Sequence, residues 1–99
     1  MLLMKKQFFD AIRTGAKTTT LRYWEYARVR PNSVHRVQGL GRLRIDSIAP
    51  VCLESLDEVD AVADGFKSIA ALRRALKALY PPECRKGRQL YRVRFTFIE

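Results

Sequence analysis

Apolar positions along the chain recur with two periods, and each stretch announces the element it forms. Phe8, Phe9 and Ile12 fall at helical spacing within residues 5–14, and Gly15 follows as a C-cap. Residues 18–23 predict a strand, because three successive threonines are stiff at χ1 and poor in helices. Residues 24–33 read as a loop interrupted by Pro31-Asn32. Residues 34–40 and 42–48 predict two further strands around Gly39 and Gly41. In the second, Leu43 and Ile45 alternate with Arg42, Arg44 and Asp46, as on a half-buried strand.

The second half changes period. Residues 56–63 predict a short acidic helix ending at Asp64-Gly65. Ser68 is placed to cap a longer helix over 69–79, where Ile69, Leu72, Leu76 and Leu79 form one stripe. Pro81-Pro82 ends it. Residues 90–98 alternate cleanly, with Tyr91, Val93, Phe95 and Phe97 on one face and Arg92, Arg94 and Thr96 on the other. Four or five strands among two or three helices, without βαβ regularity, imply an α+β domain with a curled sheet or small barrel. At 99 residues the chain is expected to be one domain over 1–99.

Charge changes this picture. Nineteen Lys and Arg against ten Asp and Glu give a net +9, which favours an anionic partner. Nucleic acid is the first expectation and a phospholipid surface the second. The sets Arg28, Arg30, Arg36, then Arg42, Arg44, then Arg85, Lys86, Arg88 either gather phosphates or form a solvated face. His35 is the only histidine and reads as a strand surface residue, which leaves no His-rich metal site. Cys52 and Cys84 form no CxxC pair and read as free thiols of a reducing compartment. No apolar run approaches the roughly 18 residues of a membrane span. The start, Met1-Leu2-Leu3-Met4-Lys5-Lys6, is too quickly charged for a signal peptide. A soluble, cytoplasmic monomer without metal or cofactor is expected.

The densest polar cluster is Gly15-Ala16-Lys17-Thr18-Thr19-Thr20-Leu21-Arg22. On a regular strand Thr18, Thr20 and Arg22 share one face, and Thr19, Leu21 and Tyr23 the other. Spacing alone gives a polar strand face with a solvated lysine. A convergence of Lys17, a threonine hydroxyl and Arg22 on one pocket is the sharper alternative. Trp24, Tyr26 and Phe66 flank the cluster, and each offers a face on which a pyrimidine stacks. Phe66 and Tyr80 also suit core packing, with the Tyr80 hydroxyl within range of such a pocket.

The Gly-x-Lys-Thr-x-Thr-Leu-Arg cluster is followed by Ala63-Asp64-Gly65-Phe66-Lys67-Ser68, a helix, Leu79-Tyr80-Pro81 and a closing strand with Arg94-Phe95. In this order and over nearly its whole length, the chain resembles the ASCH domain family. The resemblance implies a PUA-like fold, a small β-barrel of four to six strands flanked by two or three helices, and a role in RNA biology. Many members carry glutamate at the place of Thr20. The Lys-x-x-Thr-x-Arg form here looks like the small N4-acetylcytidine amidohydrolases, whose catalytic set is lysine, threonine and glutamate. Carried over, Lys17 and Thr20 match the first two roles. The glutamate falls on or beside Asp64-Gly65, which makes Asp64 the nearest acid and leaves Glu58 and Asp60 as alternatives. Arg22, Trp24, Phe66 and Tyr80 are the candidate substrate contacts.

Such chemistry is coherent. A threonine hydroxyl is a weak nucleophile until a base takes its proton, and lysine is a base only when neutral. Burial and Arg22 lower the lysine pKa, whereas a neighbouring carboxylate raises it, so sequence leaves the net sign open. Two readings stand side by side. One is an amidohydrolase acting on a small nucleoside. The other is a non-catalytic RNA-binding module using the basic surface. A ribonuclease is disfavoured because His35 lies outside the motif.

Overall fold

The computed structural model describes residues 2–99. A 3-10 turn, Lys6–Phe8, leads into helix α1, Phe9–Thr14. The strands are β1 (Thr19–Trp24), β2 (Val34–Val37), β3 (Gly41–Pro50) and β4 (Gln89–Ile98). Between β3 and β4 lie helices α2 (Glu58–Ala63), α3 (Ile69–Leu79) and α4 (Pro82–Arg85).

Local chemistry sets these boundaries. Asp57 caps α2 by accepting from the Asp60 N–H, while the Asp60 carboxylate accepts from the Asp57 N–H, a reciprocal capping box. Ser68 caps α3 by accepting from the Ala71 N–H at 3.1 Å. Pro81 breaks α3, and Pro82, whose fixed φ suits a first helical turn, starts α4. This single turn brings the helix count to four, one more than the pattern predicts. The expected strand over 34–40 ends at Val37, since residues 38–40 are used in the turn into β3.

All four strands pair antiparallel in the order β1-β4-β3-β2, so the last strand lies between the first and third. The register slips between Ile45 and Ser47, a bulge that bends β3. The result is an open, curled half-barrel of α+β type rather than a closed barrel, with β1 and β2 as edges.

Both faces of the sheet bury apolar side chains. The concave core joins Leu43, Ile45, Val93 and Phe95 to Leu2, Phe9 and Ile12. The second core sets Leu21, Tyr23 and Leu90 against Leu56, Ala61, Leu72 and Leu76. Each fully buried Leu or Ile contributes on the order of 1.5–3 kcal/mol, so α3 is held chiefly by Leu72 and Leu76. Leu90 therefore faces the helices, on the same side of β4 as Arg92, which reaches Asp60 of α2 at 3.2 Å. Among the described residues, no helix is long and apolar enough to cross a membrane.

Candidate active site

Three backbone junctions fix where Lys17 sits. Its N–H donates to Ala11 O in the last turn of α1, and the Thr18 N–H donates to Ala63 O at the end of α2. Gly65, at φ 90°, turns the chain beneath the lysine stem, where an added Cβ would stand 3.4 Å from Lys17 Cβ and Cδ. The outcome is a buried lysine, 3% exposed, and not the solvated one that strand spacing gives. Its Nζ donates to Thr19 O at 2.8 Å, Asp64 O at 2.6 Å and Asp64 Oδ1 at 3.0 Å. Three acceptors match the three protons of an ammonium group. The Phe8 ring lies 4.6 Å from Nζ, close enough for a cation–π contact.

Asp64 is the buried acid, at 5% exposed. Its Oδ1 takes the lysine and also faces the Thr19 hydroxyl, 3.4 Å away. The two alternatives are employed elsewhere. Glu58 accepts from the Ile69 N–H at the start of α3, and Asp60 serves the capping box and Arg92.

Burial works on both members of the pair. It pushes the Lys17 amine below its ordinary range, against the pull of Asp64, and Arg22 adds to the lowering. It raises the Asp64 carboxyl, against Lys17, Thr19 and Arg22. For both groups burial is the largest influence, so the direction left open by the sequence is downward for Lys17 and upward for Asp64. A proton crossing the 3.0 Å from Nζ to Oδ1 yields a neutral amine and a neutral acid, the forms burial favours.

The pair forms the polar end of a cavity of about 350 Å³. Thr20 and Arg22 line it from β1, joined by a hydrogen bond from Arg22 Nε to Thr20 Oγ1 of 3.1 Å. Arg22 is itself held in place, since Nη2 donates to Leu3 O and approaches Met4 Sδ at 3.6 Å. Burial lowers its pKa, while Tyr80 and Asp64 act the other way. The remaining walls are mostly apolar, formed by Phe8, Phe66 and the α3 residues Leu72, Ala75, Leu76 and Leu79, with Lys5 and Gln7 lining the cavity from the chain before α1. Phe66 meets Phe8 edge to face at 5.8 Å, and Tyr80, at the end of α3, meets Tyr23 at 5.2 Å.

Six of the seven candidate residues, Lys17, Thr20, Arg22, Asp64, Phe66 and Tyr80, thus line one cavity. Trp24 does not. It ends β1 instead of opening a loop, and packs on the concave core with its ring 6.0 Å from that of Tyr91. Four residues of strand carry it about 13 Å beyond Thr20. Tyr26 is 65% exposed, with the Arg28 guanidinium 5.7 Å from its ring centroid. The structure adds Phe8 and Thr19 to the neighbourhood of the pair. Phe8 follows the helical pattern of core residues, and nothing in the Thr18-Thr19-Thr20 run marks which hydroxyl meets the acid. Among the described residues no cluster of His, Cys, Asp and Glu could hold a metal ion.

No protein-family model and no curated protein matches the chain. Solved structures do. The crystal structure of hypothetical protein PH0355 superposes with a TM-score of 0.81 at 16% identity, covering 97% of this chain and 95% of that one. The ASCH domain from Lactobacillus crispatus gives 0.74 at 18% identity, over 88% of this chain and 67% of that one. The solution NMR structure of protein PF0455 from Pyrococcus furiosus gives 0.72 at 18% identity, over 98% and 94%. With its half-barrel, its flanking helices and this agreement across most of its length, the chain has the fold of an ASCH domain.

Proposed function

We propose that this protein hydrolyses the N4-acyl group of N4-acetylcytidine-type nucleosides, leaving cytidine and a carboxylic acid. The observation that carries the reading is the buried Lys17–Asp64 pair in a largely apolar cavity that Thr20 and Arg22 also line. A solvated lysine would stay protonated at neutral pH, whereas this one is driven toward the amine.

In the proposed mechanism the Thr20 Oγ attacks the acyl carbon, and its proton passes to the Lys17 amine. The Arg22 guanidinium, already donating to Thr20 Oγ1, offsets the negative charge that develops at the reacting centre. Collapse of the tetrahedral intermediate breaks the bond from carbon to N4, and Lys17 returns the proton to the leaving nitrogen. Water then attacks the threonyl ester with Lys17 again as base, the bond from the acyl carbon to Thr20 Oγ breaks, Lys17 returns the proton to Oγ, and the acid leaves. Asp64 holds Nζ in position and exchanges a proton with it. Phe8 and Phe66 supply apolar faces for the heterocycle. The test is incubation of the purified chain with N4-acetylcytidine, following the absorbance change to cytidine. No turnover would remove this reading.

A second reading, an RNA-binding module without turnover, is favoured by the outer sheet face. Arg36 stands directly opposite Arg42, and Arg44 and Arg94 occupy neighbouring cross-strand positions. Like charges placed face to face destabilise a sheet unless something anionic answers them. Among the described residues, Arg36 and Arg94 have no acidic partner, whereas Arg44 pairs with Asp46 at 3.1 Å and Arg42 donates to Glu99 O at 3.0 Å.

A further inference from the structure

β1 is an edge strand, and its free edge borders the cavity. The Phe95 N–H donates to Thr18 O at 3.0 Å, and the register places Thr19 opposite Arg94, so Thr18 lies opposite Phe95 and turns its C=O to β4, while its N–H, just before the strand begins, goes to Ala63 O. In an antiparallel ladder the backbone groups alternate between partner and edge. Thr20 and Arg22 therefore direct their N–H and C=O groups to β4, while Thr19, Leu21 and Tyr23 direct theirs away from it. Two independent bonds confirm the phase. Thr19 O, on the free edge, takes the Lys17 ammonium, and on β4 the Leu90 O accepts from the Val51 N–H beyond β3.

Leu21 occupies the middle of this edge. Its side chain is buried in the second core, yet the residue also lines the cavity. No further strand continues the sheet beyond β1, and among the described residues no loop or side-chain hydrogen bond reaches the Leu21 N–H or C=O. A backbone donor and acceptor that border an apolar cavity without a protein partner are costly unless a ligand or water satisfies them. They lie on the same strand as Thr20, one residue on.

The geometry points to the Leu21 main chain as the specificity element of the site: its N–H and C=O together bind the aminopyrimidine edge of the substrate. This inference rests on the proposed amidohydrolase reading and deepens it. In a cytosine, the N3 acceptor adjoins the N4–H donor, a pattern complementary to the N–H donor and C=O acceptor of one extended residue. An N4-acylated cytosine keeps one N4–H, so substrate and product both retain the pair. Binding the ring by this edge holds N4, and the acyl carbon attached to it, beside the strand that carries Thr20. It uses the mode by which extended peptides join exposed strands, with a heterocycle in place of the added strand.

The test is a titration of the wild-type, ¹⁵N-labelled chain with cytidine, which cannot be deacylated, followed by amide resonances. The Leu21 amide proton is expected to move downfield and its solvent exchange to slow, whereas the Thr20 and Arg22 amides, already bonded to β4, keep their protection. 3-Deazacytidine lacks the N3 acceptor and N4,N4-dimethylcytidine lacks the N4–H. Each is expected to bind about tenfold more weakly, the effect of one hydrogen bond left unmade. An unmoved Leu21 amide, or equal affinity for all three nucleosides, overturns the inference, even if N4-acetylcytidine is hydrolysed. A Leu21 shift with the expected affinity order, but no hydrolysis, upholds the edge and removes the amidohydrolase reading alone.

Discussion

Lys17 and Asp64 show at the residue scale how a polar pair can be both expensive and useful. Each is nearly removed from water, and each is pushed toward its neutral form by that removal. For the proposed reaction, kcat/KM is expected to rise with pH as Lys17 loses its proton, with a midpoint below the ordinary lysine range. A midpoint at or above that range, read from a pH–rate profile, contradicts a lysine base. Thr20→Ala is expected to abolish hydrolysis with the fold intact by circular dichroism, because Thr20 is the threonine lining the cavity. Thr18→Ala, at an exposed side chain, is expected to retain near-wild-type kcat. Asp64→Asn keeps the shape but can no longer exchange a proton with Lys17, so kcat is expected to fall by about 10²–10⁴-fold. Glu58→Gln and Asp60→Asn act on helix ends instead, and are expected to lower the melting temperature while kcat holds. Inactivation by Glu58→Gln with an active Asp64→Asn would move the acid role to the helix.

Among the elements, the junction between α2 and α3 decides whether the site exists. Asp64 caps the C-terminal end of α2, Gly65 reverses the chain, and Phe66 N–H returns to Ala61 O at 2.9 Å. The turn needs φ 90° at residue 65, where an L side chain costs about 1–2 kcal/mol, while the methyl of alanine would stand in ordinary contact with the Lys17 stem, 3.4 Å away. Gly65→Ala is therefore expected to lower stability by about that amount and kcat by a larger factor than its stability loss explains, because relief of the strained turn moves the adjoining Asp64 relative to Nζ. Denaturant melts and initial rates on the same preparation check it, and unchanged kcat at reduced stability would show that the turn keeps Asp64 in place despite the strain. Ser68, two residues later, secures α3, which in turn supplies the apolar wall of the cavity.

Taken as a whole molecule, the protein keeps its cavity apart from its arginine rows. The cavity lies at the β1 edge, and the arginine rows lie on the outer face of β2, β3 and β4. If that face binds RNA phosphates, log affinity is expected to fall with log salt at about 0.7 per phosphate neutralised on single strands. Hydrolysis of uncharged N4-acetylcytidine is expected to respond far less. Arg36→Gln with Arg42→Gln relieves the cross-strand repulsion, which gains on the order of 0.2–1 kcal/mol in stability, while RNA affinity drops. Filter binding between low and moderate salt, beside thermal melts, measures both. A flat salt response would leave the outer face as a solvated surface.

What this sequence determines unaided follows from local physics. Side-chain period, the Ser68 cap and the proline break are properties of neighbouring residues, so α3 and the long strand β4 are legible from the chain alone. The Lys17, Thr20 and Arg22 cluster is legible too, since it lies within one short segment. Only the tertiary structure decided that Lys17 is buried, that Asp64 rather than Glu58 or Asp60 meets it, and that Trp24 points elsewhere. These depend on contacts between residues 47 positions apart and on the open edge of β1, which exists because β4, from the other end of the sequence, takes the opposite side. Desolvation and strand pairing are properties of the assembled fold, and no local spacing encodes them.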